Sequence, residues 1–190
     1  MFEGPRKYLR EPVFVVFRHM RHADVVKMAN LAQMVNVIAP IVTSKQGLFL
    51  QPTFYPIAEY GKQRGNVALS PYVSAPTYRL SGPGAAQGPD ISYLDVSATY
   101  DAAGHSVYVN VLNRSRDKDL ATSVECQEGK LGSGVEVWQM NNSDLKAENT
   151  FGNDRKVAPQ THPLQVKVDG NAFRYTFPAH SLTILKLRVD

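Results

Sequence analysis

One amide side chain, that of Gln33, stands between two apolar runs near the start of this 190-residue chain. The first run, VVKMANLA, covers residues 25–32, and the second, VNVIAPI, covers residues 35–41. An apolar run without alternation is typical of a strand that is buried on both faces, as in a parallel sheet covered by helices. A buried helix remains the alternative, because periodicity cannot separate the two over so few residues. If the run is a strand, Gln33 follows its carboxyl end and is a candidate binding residue.

A second group of residues, His19, His22 and Asp24, has side chains that could ligate a metal. No further ligand of convincing spacing follows the two histidines, so a polar connection with salt bridges is favoured over a zinc site. An extended chain at about 3.3 Å per residue would also cover roughly 30 Å from Asp24 to Gln33, so the histidines and Gln33 would lie at opposite ends of one strand. We therefore predict neither a metal nor another cofactor.

The carboxylates do not form a recognisable acid–base pair along the chain. Each glutamate is predicted to be a solvated surface charge. The glutamates considered are Glu3, Glu11, Glu59, Glu125, Glu128, Glu136 and Glu148. The only cysteine, Cys126, has no adjacent base and is predicted to be structural; a single cysteine excludes an intrachain disulfide and fits a reducing, cytoplasmic compartment. No catalytic residue is predicted in this chain.

The composition is that of an ordinary globular protein, with 43% hydrophobic and 20% charged residues. The net charge of +4 is scattered and forms no basic stripe, so no nucleic-acid partner is expected. The apolar stretch 25–41 is shorter than the roughly 20 residues that a membrane-spanning helix needs. No signal peptide is recognised, and the first residues read like the middle of a longer protein.

The first third of the chain has the element order of an α/β unit. Pro12 could begin a helix over residues 13–20, and residues 43–51 resemble a loop with Gly47 at its centre. Residues 53–62 (TFYPIAEYGK) predict a helix that stops at Gly61 or Gly65. Strand, loop and helix in this order are the unit of a TIM-type barrel, which needs eight such units. We predict that residues 1–65 form an incomplete barrel segment.

From about residue 66 the pattern is that of an all-β domain. The turn Asp169-Gly170-Asn171 predicts a hairpin, and in the last strand Leu182, Ile184, Leu185 and Leu187 could supply one buried side. Residues 113–119 predict a solvated charged turn, and residues 141–163 a connection between sheets or the edge of a site. Strands are predicted at 72–80, 92–100, 106–112, 120–126, 135–140, 164–168, 172–177 and 181–189. The fold class is therefore mainly β: a jelly-roll-like β-sandwich at 66–190, preceded by the incomplete barrel segment.

Four segments resemble one enzyme family. HADVVKMANLAQMVNVIAPIVT and TFYPIAEY, within residues 22–60, resemble the end of the catalytic barrel in α-L-arabinofuranosidases of glycoside hydrolase family fifty-one. NTFGNDRKVAP at 149–159 and FPAHSLTILKL at 177–187 resemble the jelly-roll domain that follows that barrel. The resemblance covers nearly the whole chain, and its first part is the more specific.

The resemblance implies a substrate and a role for one residue. Residues 25–32 would be the eighth barrel strand, and Gln33 would hydrogen-bond an arabinofuranosyl group at the catalytic face. A retaining glycosidase needs two carboxyl groups about 5 Å apart. In the resembled family both are glutamates on earlier barrel strands, which have no counterpart here. The chain alone is therefore expected to be inactive.

Two functions from different classes stay open on this basis. The chain could be the C-terminal portion of an arabinofuranosidase, completed by an upstream barrel chain. It could instead be a non-catalytic β-sandwich module that binds carbohydrate or a partner chain, with aromatic side chains stacking on sugar rings. The aromatic candidates are Tyr72, Tyr78, Tyr93, Tyr108 and Trp138. The unpaired barrel strand also predicts a homo-oligomer or poor solubility for residues 1–65.

Overall fold

The computed structural model describes residues 22, 23, 25, 26, 28, 33–79 and 88–190, and these are mainly β. Within this part of the chain there is a single helix, α1 (Phe54–Lys62), and no helix long and apolar enough to cross a membrane. The strands are β1 (Ile41–Ser44), β2 (Gly47–Leu50), β3 (Val67–Leu69), β4 (Thr77–Tyr78), β5 (Ile91–Ser92), β6 (Leu94–Asp101), β7 (Ser106–Asn113), β8 (Leu120–Glu125), β9 (Leu131–Met140), β10 (Gln160–Gln165), β11 (Ala172–Phe177) and β12 (Leu182–Val189). The predicted helix at 13–20 lies outside the described residues.

Six strands form one antiparallel sheet in the order β10-β9-β12-β7-β6-β3. A second sheet, made of β8 and β11, packs on one face of it. Val111, Val137 and Leu185 of the large sheet meet Phe173 and Phe177 of β11 in the core between the layers. This two-layer packing confirms the predicted β-sandwich.

The opposite face of the large sheet is also buried. Tyr60 of α1 and Val157 of the β9–β10 connection pack there against Trp138 and Ile184. Consecutive residues of β12 therefore point into two different cores, Ile184 into this one and Leu185 into the other. The prediction that β12 has one buried side was wrong, because helix and connection cover the face that would otherwise meet water.

Helix α1 begins and ends close to the predicted positions. Pro56 lies in its first turn, where a missing N–H costs no helical hydrogen bond. The helix stops at Lys62, one residue beyond Gly61, and the N–H of Gln63 closes the last turn on the carbonyl of Glu59 at 2.7 Å. Its apolar side buries Pro56 and Tyr60.

The predicted loop at 43–51 is instead an antiparallel hairpin. Strand β1 pairs with β2 from Ile41 opposite Leu50 to Ser44 opposite Gly47. Gly47 has a φ of +134°, which favours glycine over residues with a side chain. Ile-Val-Thr and Leu-Phe-Leu on either side of the polar turn are good strand formers, and this explains the pairing.

The Asp169-Gly170-Asn171 turn forms, but it does not join partner strands. Asp169 and Ala172 exchange backbone hydrogen bonds of 2.8 and 3.1 Å across Gly170, whose φ is +62°. However, β11 pairs with β8, while the preceding strand β10 pairs with β9. The predicted hairpin was therefore wrong, because turn chemistry is local and does not decide which sheet the next strand joins. The strand predicted at 164–168 overlaps β10 at Leu164 and Gln165 and otherwise lies beyond its end.

The long connection at 141–159 joins β9 to its own neighbour β10. It is therefore a connection within one sheet, and the predicted link between two sheets was wrong. Its side chains Ala147, Asn149 and Val157 are buried and fix it over the large sheet.

Two further predictions need correction. Of the strand predicted at 72–80, residues 72–79 are described, and among these the paired ones are Thr77 and Tyr78; Pro76, just before them, has no N–H to donate to a strand partner. The turn at 113–119 is solvated only from residue 116 onward. Asn113 and Ser115 are each 1% exposed, and the Arg114 guanidinium forms an ion pair with the buried Asp95.

The predicted strand at 25–32 is described at three positions, and none of them is in a strand. The N–H groups of Val25 and Val26 both donate to the carbonyl of His22 in a turn, at 3.0 and 2.7 Å. Val25 and Met28 are exposed, contrary to the expected burial. A strand needs hydrogen-bonded neighbours, and none pairs with these three residues. The other residues of this range lie outside the described ones.

Candidate functional site

Gln33 lies outside any strand, and its side chain is exposed. Its φ is +57°, in the left-handed region that residues other than glycine, asparagine and aspartate seldom adopt. No hydrogen bond joins its carboxamide, which carries two donors and an acceptor, to another described residue. Two other sequence-predicted candidates among the described residues, His22 and Tyr72, are exposed as well.

The segment after Gln33 is clamped onto strand β1. Val35 bridges Ile41 in parallel, and the N–H of Asn36 donates to the carbonyl of Ile41 at 2.8 Å. The Asn36 side chain then accepts from the N–H of Thr43 at 2.7 Å and donates to its hydroxyl at 3.0 Å. Asn36 has a φ of +60°, and asparagine tolerates this conformation well. Sequence reasoning missed this residue, although asparagine within an apolar run was the available signal.

The hairpin formed by β1 and β2 also contacts the sandwich. Asn149 of the β9–β10 connection donates from Nδ2 to the carbonyl of Leu50 at 2.8 Å. Phe151 of the same connection meets Phe49 edge to face, with ring centroids 4.8 Å apart. These residues belong to the NTFGNDRKVAP segment, which sequence reasoning associated with the family but did not assign a role.

The described glutamates are spread over several elements of the fold. Glu59 is half-buried on α1 and accepts from the side chain of Gln63. Four other glutamates are exposed, as predicted. Glu125 ends β8, Glu128 lies in the β8–β9 turn, Glu136 is in β9, and Glu148 is in the β9–β10 connection. A two-carboxylate mechanism is therefore not assembled from these glutamates.

The metal candidates are not brought together in the described residues. His22 is exposed in a turn, whereas His19 and Asp24 lie outside the described part of the chain. No group of three possible ligands occurs among the residues that are described. The thiol of Cys126 donates to the carbonyl of Glu128 at 2.8 Å and remains a free cysteine.

One buried ion pair lies beneath α1. Asp95 is fully buried, and Arg114, whose side chain is largely buried, pairs with it and also donates to the carbonyl of Ser92 at 3.1 Å. Burial raises the pKa of the Tyr60 phenol well above its usual value, and the negative charge of Asp95 raises this pKa further. This cluster is enclosed by protein, so it serves the packing of α1 on the sheet rather than a ligand.

A groove of about 630 Å³ lies between the ends of β10 and β11. Its polar lining residues are Ser123, Gln165, Lys167, Asp169 and Arg174. Asp169 is the only carboxylate that lines it, so the groove cannot provide the two carboxyl groups of a glycosidase.

The aromatic side chains give little support to sugar stacking. Trp138 is 4% exposed and Tyr108 8% exposed, and both belong to buried faces of the large sheet. Tyr78 and Tyr93 pack against each other with ring centroids 4.8 Å apart. Tyr72, at 89% exposed, is the one fully presented ring of the five candidates.

Comparison with known proteins identifies the family. The α-L-arabinofuranosidase C-terminal domain matches residues 13–181. A probable α-L-arabinofuranosidase C of Aspergillus clavatus is 33% identical over 173 residues, covering 90% of this chain and 32% of that protein. An intracellular exo-α-(1→5)-L-arabinofuranosidase of Streptomyces lividans is 36% identical over 156 residues, covering 82% of this chain and 22% of that protein.

Solved structures agree with the sequence relatives. The GH51 arabinofuranosidase of Xanthomonas axonopodis pv. citri superposes with a TM-score of 0.82 at 26% identity, over 97% of this chain and 36% of that one. The α-L-arabinofuranosidase of Thermotoga maritima shares the fold, with a TM-score of 0.81. The chain spans about one third of the length of the first relatives it matches: its alignments cover 32% of the A. clavatus protein, 32% of a Bacillus subtilis relative and 30% of an Aspergillus niger relative. On the strength of the match over residues 13–181, this chain belongs to the α-L-arabinofuranosidase C-terminal domain family.

Proposed function

We propose that this chain is the C-terminal part of a retaining α-L-arabinofuranosidase. The complete enzyme would hydrolyse terminal α-L-arabinofuranosyl residues of arabinoxylan- or arabinan-type saccharides. The observation that carries this proposal is the family match over residues 13–181. Relatives from S. lividans and Bifidobacterium longum are named exo-α-(1→5)- and exo-α-(1→6)-L-arabinofuranosidases, and these names support the same class of substrate.

In this proposal Gln33 binds the arabinofuranosyl group. Its exposed carboxamide offers two donors and an acceptor, which suit the hydroxyl groups and ring oxygen of a sugar. Residues 1–65 would contribute the last strand and helix of the barrel, and residues 66–190 the sandwich domain that follows it. Tertiary packing against the other barrel strands would then supply the hydrogen bonds that residues 25–32 need to form a strand.

The bond-breaking chemistry would come from outside this chain. A nucleophilic carboxylate and a carboxylic acid must flank the glycosidic bond about 5 Å apart. The glutamates in the described part of the chain are spread over α1, β8, β9 and the connections beside them, so we propose that both carboxyl groups come from an upstream barrel. The chain by itself would then bind substrate weakly and hydrolyse nothing.

The partner in this proposal is the upstream barrel chain. Large apolar side chains around the Gln33 segment are exposed, among them Val37, Ile38 and Leu48, and an apolar surface of this kind favours association. A second copy of this chain is the alternative partner. We place the protein in the cytoplasm, because three relatives are named intracellular and the chain has a single cysteine.

The test is an assay with an aryl α-L-arabinofuranoside. The chain is assayed alone, mixed with the upstream part of the Xanthomonas enzyme, and fused to that part in place of its own C-terminal third. We expect no turnover by the chain alone and measurable turnover by the completed enzyme. Turnover by the chain alone would show that its own carboxylates suffice for catalysis. This result would contradict the proposal that the catalytic carboxyl groups come from an upstream barrel.

Gln33→Ala in the completed enzyme tests the binding role. Loss of a hydrogen bond to the sugar should lower kcat/KM by the equivalent of about 1–3 kcal/mol. Gln127→Ala is the matched control, because Gln127 is an exposed glutamine beyond β8 and far along the chain from the hairpin. Equal kcat/KM for the Gln33 variant and the unchanged enzyme would exclude Gln33 from the site.

A further inference from the structure

Asn149 is a buried amide whose side chain joins two distant segments. It is 4% exposed and lies in the β9–β10 connection. Its Nδ2 donates to the carbonyl of Leu50 at 2.8 Å and to that of Val157 at 2.9 Å. Its Oδ1 accepts from the N–H of Val157 at 2.7 Å. Both donors and the acceptor are used, so the carboxamide has one defined orientation.

The hydrogen bond to Leu50 leads back to Gln33 in a few steps. Leu50 is opposite Ile41 in the β1–β2 hairpin. Ile41 bridges Val35 and accepts the hydrogen bond from Asn36. Gln33 is two residues before Val35 and has no side-chain hydrogen bond to another described residue. The direction of its carboxamide therefore depends on how this backbone segment is held.

A second contact holds the same hairpin from the same connection. Phe151 packs edge to face on Phe49, and Phe49 is opposite Val42 of β1. The β9–β10 connection is itself fixed on the large sheet through Val157, which is fully buried among Trp138 and Ile184. The contacts with this connection therefore fix the position of the β1–β2 hairpin relative to the large sheet.

We propose that Asn149 is a positioning residue for Gln33. Through the hydrogen bond to Leu50 and the β1–β2 hairpin, the sandwich domain would fix the position of the Gln33 side chain relative to the bound sugar. The proposal rests on the proposed function of Gln33, and it adds that the sandwich takes part in forming the site. Energetic coupling of this kind is carried by contiguous packed or hydrogen-bonded groups, and each link from Asn149 to Asn36 is such a group.

Amide hydrogen exchange of the 190-residue chain tests the structural half of the proposal. In Asn149→Ala, exchange of the Asn36 and Gln51 N–H groups should rise about tenfold, because the hairpin loses a buried anchoring hydrogen bond. These N–H groups donate to the carbonyls of Ile41 and Pro40, both at 2.8 Å. The amides of β12 serve as the internal reference, since a merely global loss of stability would raise their exchange equally.

Asn142→Ala is the matched control variant. Asn142 lies in the same connection and donates to the carbonyl of Lys156 at 2.8 Å, without a side-chain bond to the hairpin. In Asn142→Ala, hydrogen exchange of the Asn36 and Gln51 N–H groups should equal that in the unchanged chain. Phe151→Ala is the second test variant and should raise hairpin exchange while β12 stays unchanged. Unchanged hairpin exchange in both Asn149→Ala and Phe151→Ala would overturn the proposal.

A double-variant cycle in the completed enzyme tests the functional half. Asn149→Ala alone should lower kcat/KM about tenfold, the equivalent of losing one buried hydrogen bond. If Asn149 acts through Gln33, adding Asn149→Ala to Gln33→Ala should lower kcat/KM little further. If the fold-decrease in kcat/KM of the double variant equals the product of the two single-variant decreases, the two residues act independently, and this result would contradict a positioning role for Asn149. The exchange experiment needs no activity, so a failure of the arabinofuranosidase assignment would be distinguishable from a failure of this inference.

Discussion

At the scale of single residues, side-chain amides connect segments that are far apart in the chain. Asn113 donates to the carbonyls of Lys118, Phe177 and Pro178, each near 3 Å, and so ties the end of β7 to the start of the last connection. Asn171 links its own turn to Gly129 and Leu131. A buried carbonyl or N–H left without a partner costs about 1–3 kcal/mol. These side chains therefore specify which connections pack together.

Tyr60 gives a prediction on pH dependence. Its folded-state pKa is raised by burial and by Asp95, whereas a tyrosine in the unfolded chain has a pKa of about 10. The stabilising contribution is therefore complete below about pH 10 and is lost as the pH rises through the higher folded pKa. The free energy of unfolding should begin to fall above about pH 10, and this fall should be less steep in the Tyr60→Phe variant than in the unchanged chain.

Urea unfolding followed by Trp138 fluorescence at several pH values measures this slope. Tyr72→Phe is the matched control, because Tyr72 is almost fully exposed, and it should keep the slope of the unchanged chain. Identical slopes for Tyr60→Phe and the unchanged chain would show that Tyr60 does not govern the alkaline loss.

At the scale of elements, the step from α1 to β3 depends on Gly65. A Cβ at this position would lie 2.0 Å from the carbonyl carbon of Tyr100, which is backbone of β6 and cannot rotate away. The Gly65 N–H also donates to the hydroxyl of Thr99 at 2.9 Å. The close approach lets α1 lie against the large sheet and bury Tyr60.

Substitution of the two nearby glycines should have opposite effects. Gly65→Ala should lower the free energy of unfolding by at least about 2 kcal/mol, because the backbones must separate. Gly61→Ala places a methyl group in open space within α1 and should raise it by about 0.5–1 kcal/mol through helix propensity. Urea denaturation of the two variants measures both values. A Gly65→Ala chain as stable as the unchanged one would contradict the close approach.

At the scale of the whole molecule, apolar surface is unevenly distributed. The sandwich buries both faces of its large sheet, whereas the segment around Gln33 exposes Val37 and Ile38 at 83% and 76%. Val37 also has a φ of +59°, an unusual conformation for a β-branched residue. An exposed apolar segment of this kind needs a covering partner.

We therefore expect the isolated chain to self-associate. Light scattering should show species larger than a monomer, and Ile38→Lys should shift the distribution toward the monomer because a charge opposes burial at a contact. Leu145→Lys is the control, because Leu145 is an exposed apolar residue of the β9–β10 connection. A monodisperse monomer of the unchanged chain would contradict the expectation.

The sequence by itself determined the elements whose signals are local. The helix at Phe54–Lys62 was predicted with its stop at Gly61 or Gly65, and β11 was predicted from the Asp169-Gly170-Asn171 turn before it. The family also followed from local segments, and the match over residues 13–181 confirms it. A pattern within ten or so residues contains this information because backbone preference and turn chemistry act over that distance.

The tertiary structure decided which elements meet. The partners of β10 and β11, the burial of both faces of β12 and the hairpin at 43–51 each depend on contacts between distant segments. The role of Asn149 belongs to the same class, since its hydrogen bond to Leu50 spans 99 residues. Many strands have similar edges and apolar faces, so pairing is chosen by the packing of the whole domain. Local patterns alone leave that choice open.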